Sequence, residues 1–256
     1  MQRYTIIIFA VFIGAYGAPQ AKHHFGGRIV NGTEAQLGEY PFMVSLQYPN
    51  REHFCGGSIL NEYYILTAAH CVAYDSPSYL SALVGSVNIQ EGGQSYDVDT
   101  ITVHEGYDEA NNVLNDIAVV KLKSAISFNE NVQPVKLPAQ MEPTPGGTPA
   151  TVLGFGRIYE NGPMEDHLQQ VNITIYSDQE CQDIYYYMSP YDSNICAGVP
   201  EGGKGQCNGD SGGPLIANGH QVGIVSWGGK PCAKDPGVCT EVAYYIDWLV
   251  QHADVH

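Results

Sequence analysis

The apolar residues of this chain come in short runs, and glycine, proline and asparagine stand between them; there are 29 Gly and 15 Pro in 256 residues. Runs so short cannot build long amphipathic helices, whereas strands of four to eight residues joined by turns need just this punctuation. Strand-like segments fall at 42–46, 58–60, 64–67, 82–84 and 117–122, and a second set at 151–156, 168–175, 193–197, 214–216, 221–227 and 237–242. The 18 tyrosines and a charged fraction of only 15% point the same way, because aromatic residues suit a pleated, half-buried surface. The chain therefore reads as all-β, a barrel or sandwich rather than alternating βα units. A stretch at 127–148, rich in Asn, Pro and Gly, connects the two sets, which show no internal repeat. The tail is the exception: Tyr245, Trp248, Leu249 and His252 recur at helical spacing and form a face for packing.

At its start the chain has Arg3, an apolar run over 6–13 and small residues at Ala15 and Gly17. That run is too short to span a bilayer and has the form of a secretory signal over 1–17, which places the mature chain outside the cell. Residues 1–28 hold Arg3, Lys22 and Arg28 and no acid, so their removal takes the formal net charge from −16 to −19. A polyanion without a compensating basic cluster excludes nucleic-acid binding, and no other apolar run is long enough for a membrane helix. Solubility is the plain use of this charge; selection of basic substrates is the other. Seven cysteines in a secreted chain mean disulfides with one thiol over, and spacing alone does not choose the pairs.

One segment carries chemistry. Gly209-Asp210-Ser211-Gly212-Gly213-Pro214 sets a serine among glycines, where main chain can approach a substrate closely. A serine hydroxyl is a weak nucleophile until a base takes its proton. A candidate base is His70, in Leu66-Thr67-Ala68-Ala69-His70-Cys71, and a candidate carboxylate is Asp116, in Asn115-Asp116-Ile117-Ala118-Val119-Val120. With Arg28-Ile29-Val30-Asn31-Gly32 upstream and the order His, Asp, Ser, the chain resembles the chymotrypsin/trypsin-type serine endopeptidases from Ile29 to about Trp248.

That resemblance implies two packed antiparallel six-stranded β-barrels, at about 29–130 and 131–243, and a C-terminal helix at about 244–253, the whole forming a protease domain over 29–256. It implies a catalytic set of His70, Asp116 and Ser211, an oxyanion hole from the N–H groups of Gly209 and Ser211, and disulfides Cys55–Cys71, Cys181–Cys196 and Cys207–Cys232, with Cys239 left over. It further implies an activation peptide at 18–28, cut after Arg28 by a trypsin-like protease so that the new ammonium of Ile29 pairs with Asp210. His23 and His24 in that peptide have no further ligands to suggest a metal site. Substrate main chain would pair with Ser226, Trp227 and Gly228, while Gly205, Asn208, Gly228, Gly237 and Cys239 would shape the pocket.

The same resemblance sets the expected specificity. Gly205 stands where trypsin-like members place an acid, so a large uncharged side chain is the expected guest. Glycines at Gly228 and Gly237 would leave the pocket open, and Cys239, in place of the usual tyrosine, would deepen its floor. Asp235 is expected to face solvent; turned inward, it would support a broad, collagenase-like or trypsin-like alternative. A calcium loop is not expected, since Ser86 replaces a carboxylate and Glu91 alone is too few oxygens. No cofactor or metal is expected. The expected partners are protein or peptide substrates, the activator and protein inhibitors, acting on a monomer. Asn31 and Asn172 lie in glycosylation sequons. A binding protein that keeps the fold without turnover is the alternative of another class, disfavoured because Arg28, His70, Asp116 and Ser211 are all present.

Overall fold

A computed structural model describes residues 29–188 and 190–255; the expected signal at 1–17 and activation peptide at 18–28, with Arg28, lie outside them. Six strands, β2 (Met43–Tyr48), β3 (Glu52–Ile59), β4 (Tyr64–Thr67), β5 (Ser81–Val84), β6 (Gln94–Val103) and β7 (Ala118–Leu122), close a barrel in the order β2-β3-β4-β7-β6-β5. Its interior is filled by Val44, Leu46, Ile59, Ile65, Val120 and Leu122, all essentially inaccessible, while Leu66 is buried on the opposite face of β4. Strands β8 (Pro149–Gly154), β9 (Gln169–Ile175), β10 (Asn194–Gly198), β11 (Pro214–Ala217), β12 (His220–Trp227) and β13 (Gly237–Glu241) close the second barrel through the β8–β9 and β11–β8 pairings. A two-residue strand, β1 (Thr33–Glu34), adds to β9 from outside. Every pairing is antiparallel.

Strand β9 shows how sequence sets facing: Gln169, Val171, Ile173 and Ile175 are buried and alternate with more exposed neighbours, as a period of two requires. Register shifts interrupt the pairing at Leu46/Gln47, Val98/Thr100, Leu215/Ile216 and Val225/Trp227. Bulges of this kind bend a strand and re-aim a side chain, and the last of them frees Ser226 from the ladder.

The helices are short. The single turn α1 (Ala69–Val72) follows β4 and carries His70. Helix α2 (Asp178–Ile184) begins with a capping box in which Ser177 and Glu180 satisfy each other's main-chain N–H groups. A 3-10 turn, Val242–Tyr245, leads into α3 (Ile246–Ala253), whose buried Trp248 and Leu249 join the core of the first barrel. Glu105, on the first barrel, accepts from Trp248 Nε1 at 3.0 Å and lies 3.2 Å from His252 Nε2, so the end of the chain straps both halves together. Among the described residues no helix is long and apolar enough to cross a membrane.

Main chain meets main chain where the barrels touch. Gly56 N donates to Ser211 O at 2.7 Å. A Cβ on Gly56 would lie 2.8 Å from Gly213 Cα, and one on Gly212 would lie 2.2 Å from Thr67 Oγ1 and 2.6 Å from Gly56 O. Gly212 also has φ +76°, which side-chain-bearing residues adopt reluctantly. Gly212→Ala is thus expected to lower unfolding free energy by about 3 kcal/mol or more, through overpacking and backbone strain together. A urea-unfolding midpoint equal to that of the parent chain would show that the seam tolerates a side chain.

Candidate active site

Asp116 lies just before β7 and is 1% exposed. Its Oδ1 accepts from His70 N at 2.8 Å, and its Oδ2 accepts from His70 Nδ1 at 2.7 Å and from Ser226 Oγ. Its own carbonyl accepts from Thr240 Oγ1 at 2.8 Å. The imidazole is therefore held by a residue of its own barrel, while that residue is held by two strands of the other. Because Nδ1 carries the donated proton, the lone pair of His70 sits on Nε2. Burial alone would lower the imidazole pKa. The Asp116 hydrogen bond and charge, with a smaller push from Glu109, outweigh burial and leave it above the ordinary value.

Ser211 follows β10 in a loop pinned by Cys207–Cys232, and the structure also forms Cys55–Cys71 beside His70 and Cys181–Cys196. The loop's peptide planes are set by their carbonyls. Asn208 O accepts from Arg157 N at 2.8 Å, and Asp210 O from Gly213 N at 3.0 Å. A trans peptide points its N–H opposite its C=O, so the N–H groups of Gly209 and Ser211 turn away from those bonds and stay free to donate. Gly209 has φ +96°, and a Cβ there would lie 2.4 Å from Met164 Cε, which leaves glycine as the residue that fits. Among the described contacts Ser211 Oγ makes no hydrogen bond; its neighbour Gly212 packs against Thr67 and Cys71, and Cys71 Sγ lies 3.8 Å from His70 Nε2, which brings the serine loop up to the turn that carries His70.

Three residues without a motif support this loop. His53, nearly fully buried, places Nε2 2.9 Å from Gly209 O and Nδ1 2.8 Å from Ser45 Oγ, and Gln47 Nε2 donates to that hydroxyl at 3.1 Å. Burial pushes the His53 pKa down to about 4, against the opposing bond to Gly209. The ring is neutral, with Nε2 the donor and Nδ1 the acceptor. No sequence signal in the chain singled out Gln47, Ser45 or His53.

A cavity of about 80 Å³ opens beside Ser211, lined among others by Asn208, Ser226, Trp227, Gly228 and Gly237. Ser226 contributes main chain only, since its hydroxyl serves Asp116. Two expected members lie elsewhere. Gly205 is buried and bridges to Val30, and Cys239, 1% exposed, sits in the apolar core of the second barrel. The cause is Gln206, which the sequence reading passed over. Its side chain occupies the room left by Gly237: a Cβ on Gly237 would lie 2.3 Å from Gln206 Cδ. Its Nε2 donates to Trp227 O at 2.9 Å and its Oε1 lies 3.5 Å from Cys239 Sγ. The expected open, deepened floor is thus corrected, and so is an outward Asp235. That residue is half-buried and lines the cavity, with Oδ2 close against Gly229.

Asp210 is fully buried, and its carboxylate accepts from Gly156 N and Cys207 N, each at 2.8 Å. Desolvation pushes its pKa up to about 7 in spite of those bonds. Ile29 is fully buried too. Asn31 and Asn172 are both exposed. Ser86 Oγ is taken up by local main chain, 2.8 Å from Asn88 O and 2.7 Å from Glu91 O. Among the described residues two clusters have metal-like composition, Cys55 with His70 and Cys71, and Glu160 with Cys207 and Cys232. Their sulfurs are held in disulfides and offer no thiolate.

The family model for trypsin matches residues 29–249. The chain is a member of the trypsin family. It is 45% identical to Trypsin-1 of Astacus astacus over 240 residues, covering 88% of this chain and 100% of that protein. It is 42% identical to Chymotrypsin-2 of Vespa crabro, covering 86% and 98%. Human heparin binding protein superposes with a TM-score of 0.79 at 28% identity, covering 88% of this chain and 97% of that one. Membership makes the chain a serine endopeptidase acting on protein substrates.

Cys239 tests the placement of the pocket wall. Burial pushes its thiol up to about 12, so little thiolate exists at pH 8. Native protein should resist iodoacetamide there, and protein unfolded in urea should be alkylated at this one thiol. Rapid native labelling would place Cys239 at a surface instead of in the core.

Proposed function

We propose that this family member is a secreted zymogen whose active form cleaves peptide bonds through an acyl-enzyme on Ser211, after large uncharged residues. The reading rests on one arrangement: an imidazole with its Nδ1 proton held by buried Asp116, beside a serine whose loop turns two N–H groups free. Ser211 Oγ attacks the carbonyl carbon while His70 Nε2 takes its proton. The N–H groups of Gly209 and Ser211 stabilise the oxyanion, His70 then protonates the leaving amine, and water repeats the sequence to free Ser211. Three disulfides suit an oxidising compartment outside the cell.

Control by cleavage follows from Asp210. A carboxylate buried with two amide donors and, among the described residues, no cation is costly to ionise. A cut after Arg28 supplies an ammonium on the already buried Ile29, which would let Asp210 ionise and hold the Gly209 loop. A second reading, broad specificity that admits Arg and Lys, is favoured by the carboxylates of Asp235 and Glu160 on the cavity.

Protein cut after Arg28 should react with a fluorophosphonate at Ser211 and hydrolyse leucyl, methionyl and aromatic peptides faster than arginyl ones. Arg28→Gln treated with trypsin should do neither. Labelling of the uncut variant removes the zymogen, and faster arginyl hydrolysis that Asp235→Asn abolishes selects the second reading.

The pH profile has a fixed sign. Neutral His70 is the base, so kcat/KM is full above its pKa and falls as pH drops through it, and the raised value puts that limb above 6.5. Neutralising Glu109 as Gln should move the limb down slightly, with KM little altered. A limb below pH 6.5 in the parent enzyme contradicts the raised imidazole.

A further inference from the structure

We infer that the Gln206 side chain is the floor of the primary substrate pocket and sets its depth to a leucine- or methionine-sized side chain, shorter than tyrosine or tryptophan. The inference rests on the proposed endopeptidase reading and adds the length of the residue before the cut bond. The carboxamide crosses between the two walls. It is tied to β12 through Trp227 O at 2.9 Å, and it lies on Gly237 of β13 so closely that any Cβ there would overlap it. On the opposite side a Cβ on Gly228 would reach Nε2 at 4.0 Å. Beneath it, Cys239 Sγ lies 3.5 Å from Oε1, so the space a larger residue at 239 would fill is closed by Gln206 from above.

What remains open is about 80 Å³. A cavity of roughly 150 Å³ accepts a benzene ring, so the space above Gln206 takes a branched or thioether tip and stops a phenol short of full insertion. The floor is also uncharged. One N–H of the amide and one lone pair of Oε1 are left after the contacts to Trp227 and Cys239, enough to interact with a polarizable sulfur or a methyl edge without demanding an ion. Rotating the side chain out would forfeit the bond to Trp227 O and leave that carbonyl short of a partner.

Matched peptide amides differing only in Leu, Met, Phe, Tyr or Trp before the cut bond measure this on the activated enzyme. The parent should favour Leu and Met over Tyr by about fivefold or more in kcat/KM, a margin of the size that pocket volume provides. Gln206→Ala and the milder Gln206→Asn should move the Tyr-to-Leu ratio upward, by about tenfold for Ala and less for Asn. Fluorophosphonate labelling of each variant reports an assembled site, and either one suffices. A parent that prefers Tyr, or labelled variants with an unchanged ratio, overturns the role of Gln206. Absence of both labelling and hydrolysis in the activated parent overturns the endopeptidase reading instead.

Discussion

A single buried carboxylate governs how the two barrels must meet. Asp116 leaves water entirely, and a charge so placed is tolerable only if every lone pair finds a donor. The carboxylate takes its donors from both halves, His70 of the first barrel and Ser226 on β12 of the second, while Thr240 on β13 donates to the main-chain carbonyl of the same residue. Neither barrel satisfies it alone. The interface is therefore held by apolar burial together with a polar requirement that names particular atoms, and the bulge that frees Ser226 is the local adjustment through which β12 meets it.

Much of this was legible beforehand, for physical reasons that also explain the gaps. Runs such as 117–122 and 168–175 read as strands because one face or both are apolar. Strand β6 escaped because only Tyr96 and Val98 of its ten residues are buried and the rest are polar or half-exposed. The first half of β3 escaped as well, where Glu52 and His53 interrupt any apolar pattern. Helix α2 announced itself only through the Ser177–Glu180 cap, a short-range signal easily passed over among turns.

The candidate site divides along the same line. His70, Asp116 and Ser211 sit in local patterns, so their types and order could be read. The chain of Gln47, Ser45 and His53 reaches Gly209 only after β2 and β3 have paired, and no local pattern marks a contact 156 residues apart in sequence. Gln206 hid differently. Glycines at Gly228 and Gly237 suggested room for a substrate, but an absent side chain is equally room for a neighbour's, and which occupant claims it is decided by tertiary packing.

The glycine contacts between the barrels have a thermal consequence. Base and nucleophile ride on separate bodies, and the join nearest Ser211 is close main-chain packing around glycines, with Gly56 N on Ser211 O and His53 Nε2 on Gly209 O among its ties. A misplacement of about 1 Å can cost a reaction roughly a hundredfold. Warming that lets one body slide slightly on the other silences turnover while both sheets still hold all their rungs. Activity in such an architecture is a finer thermometer than its circular dichroism.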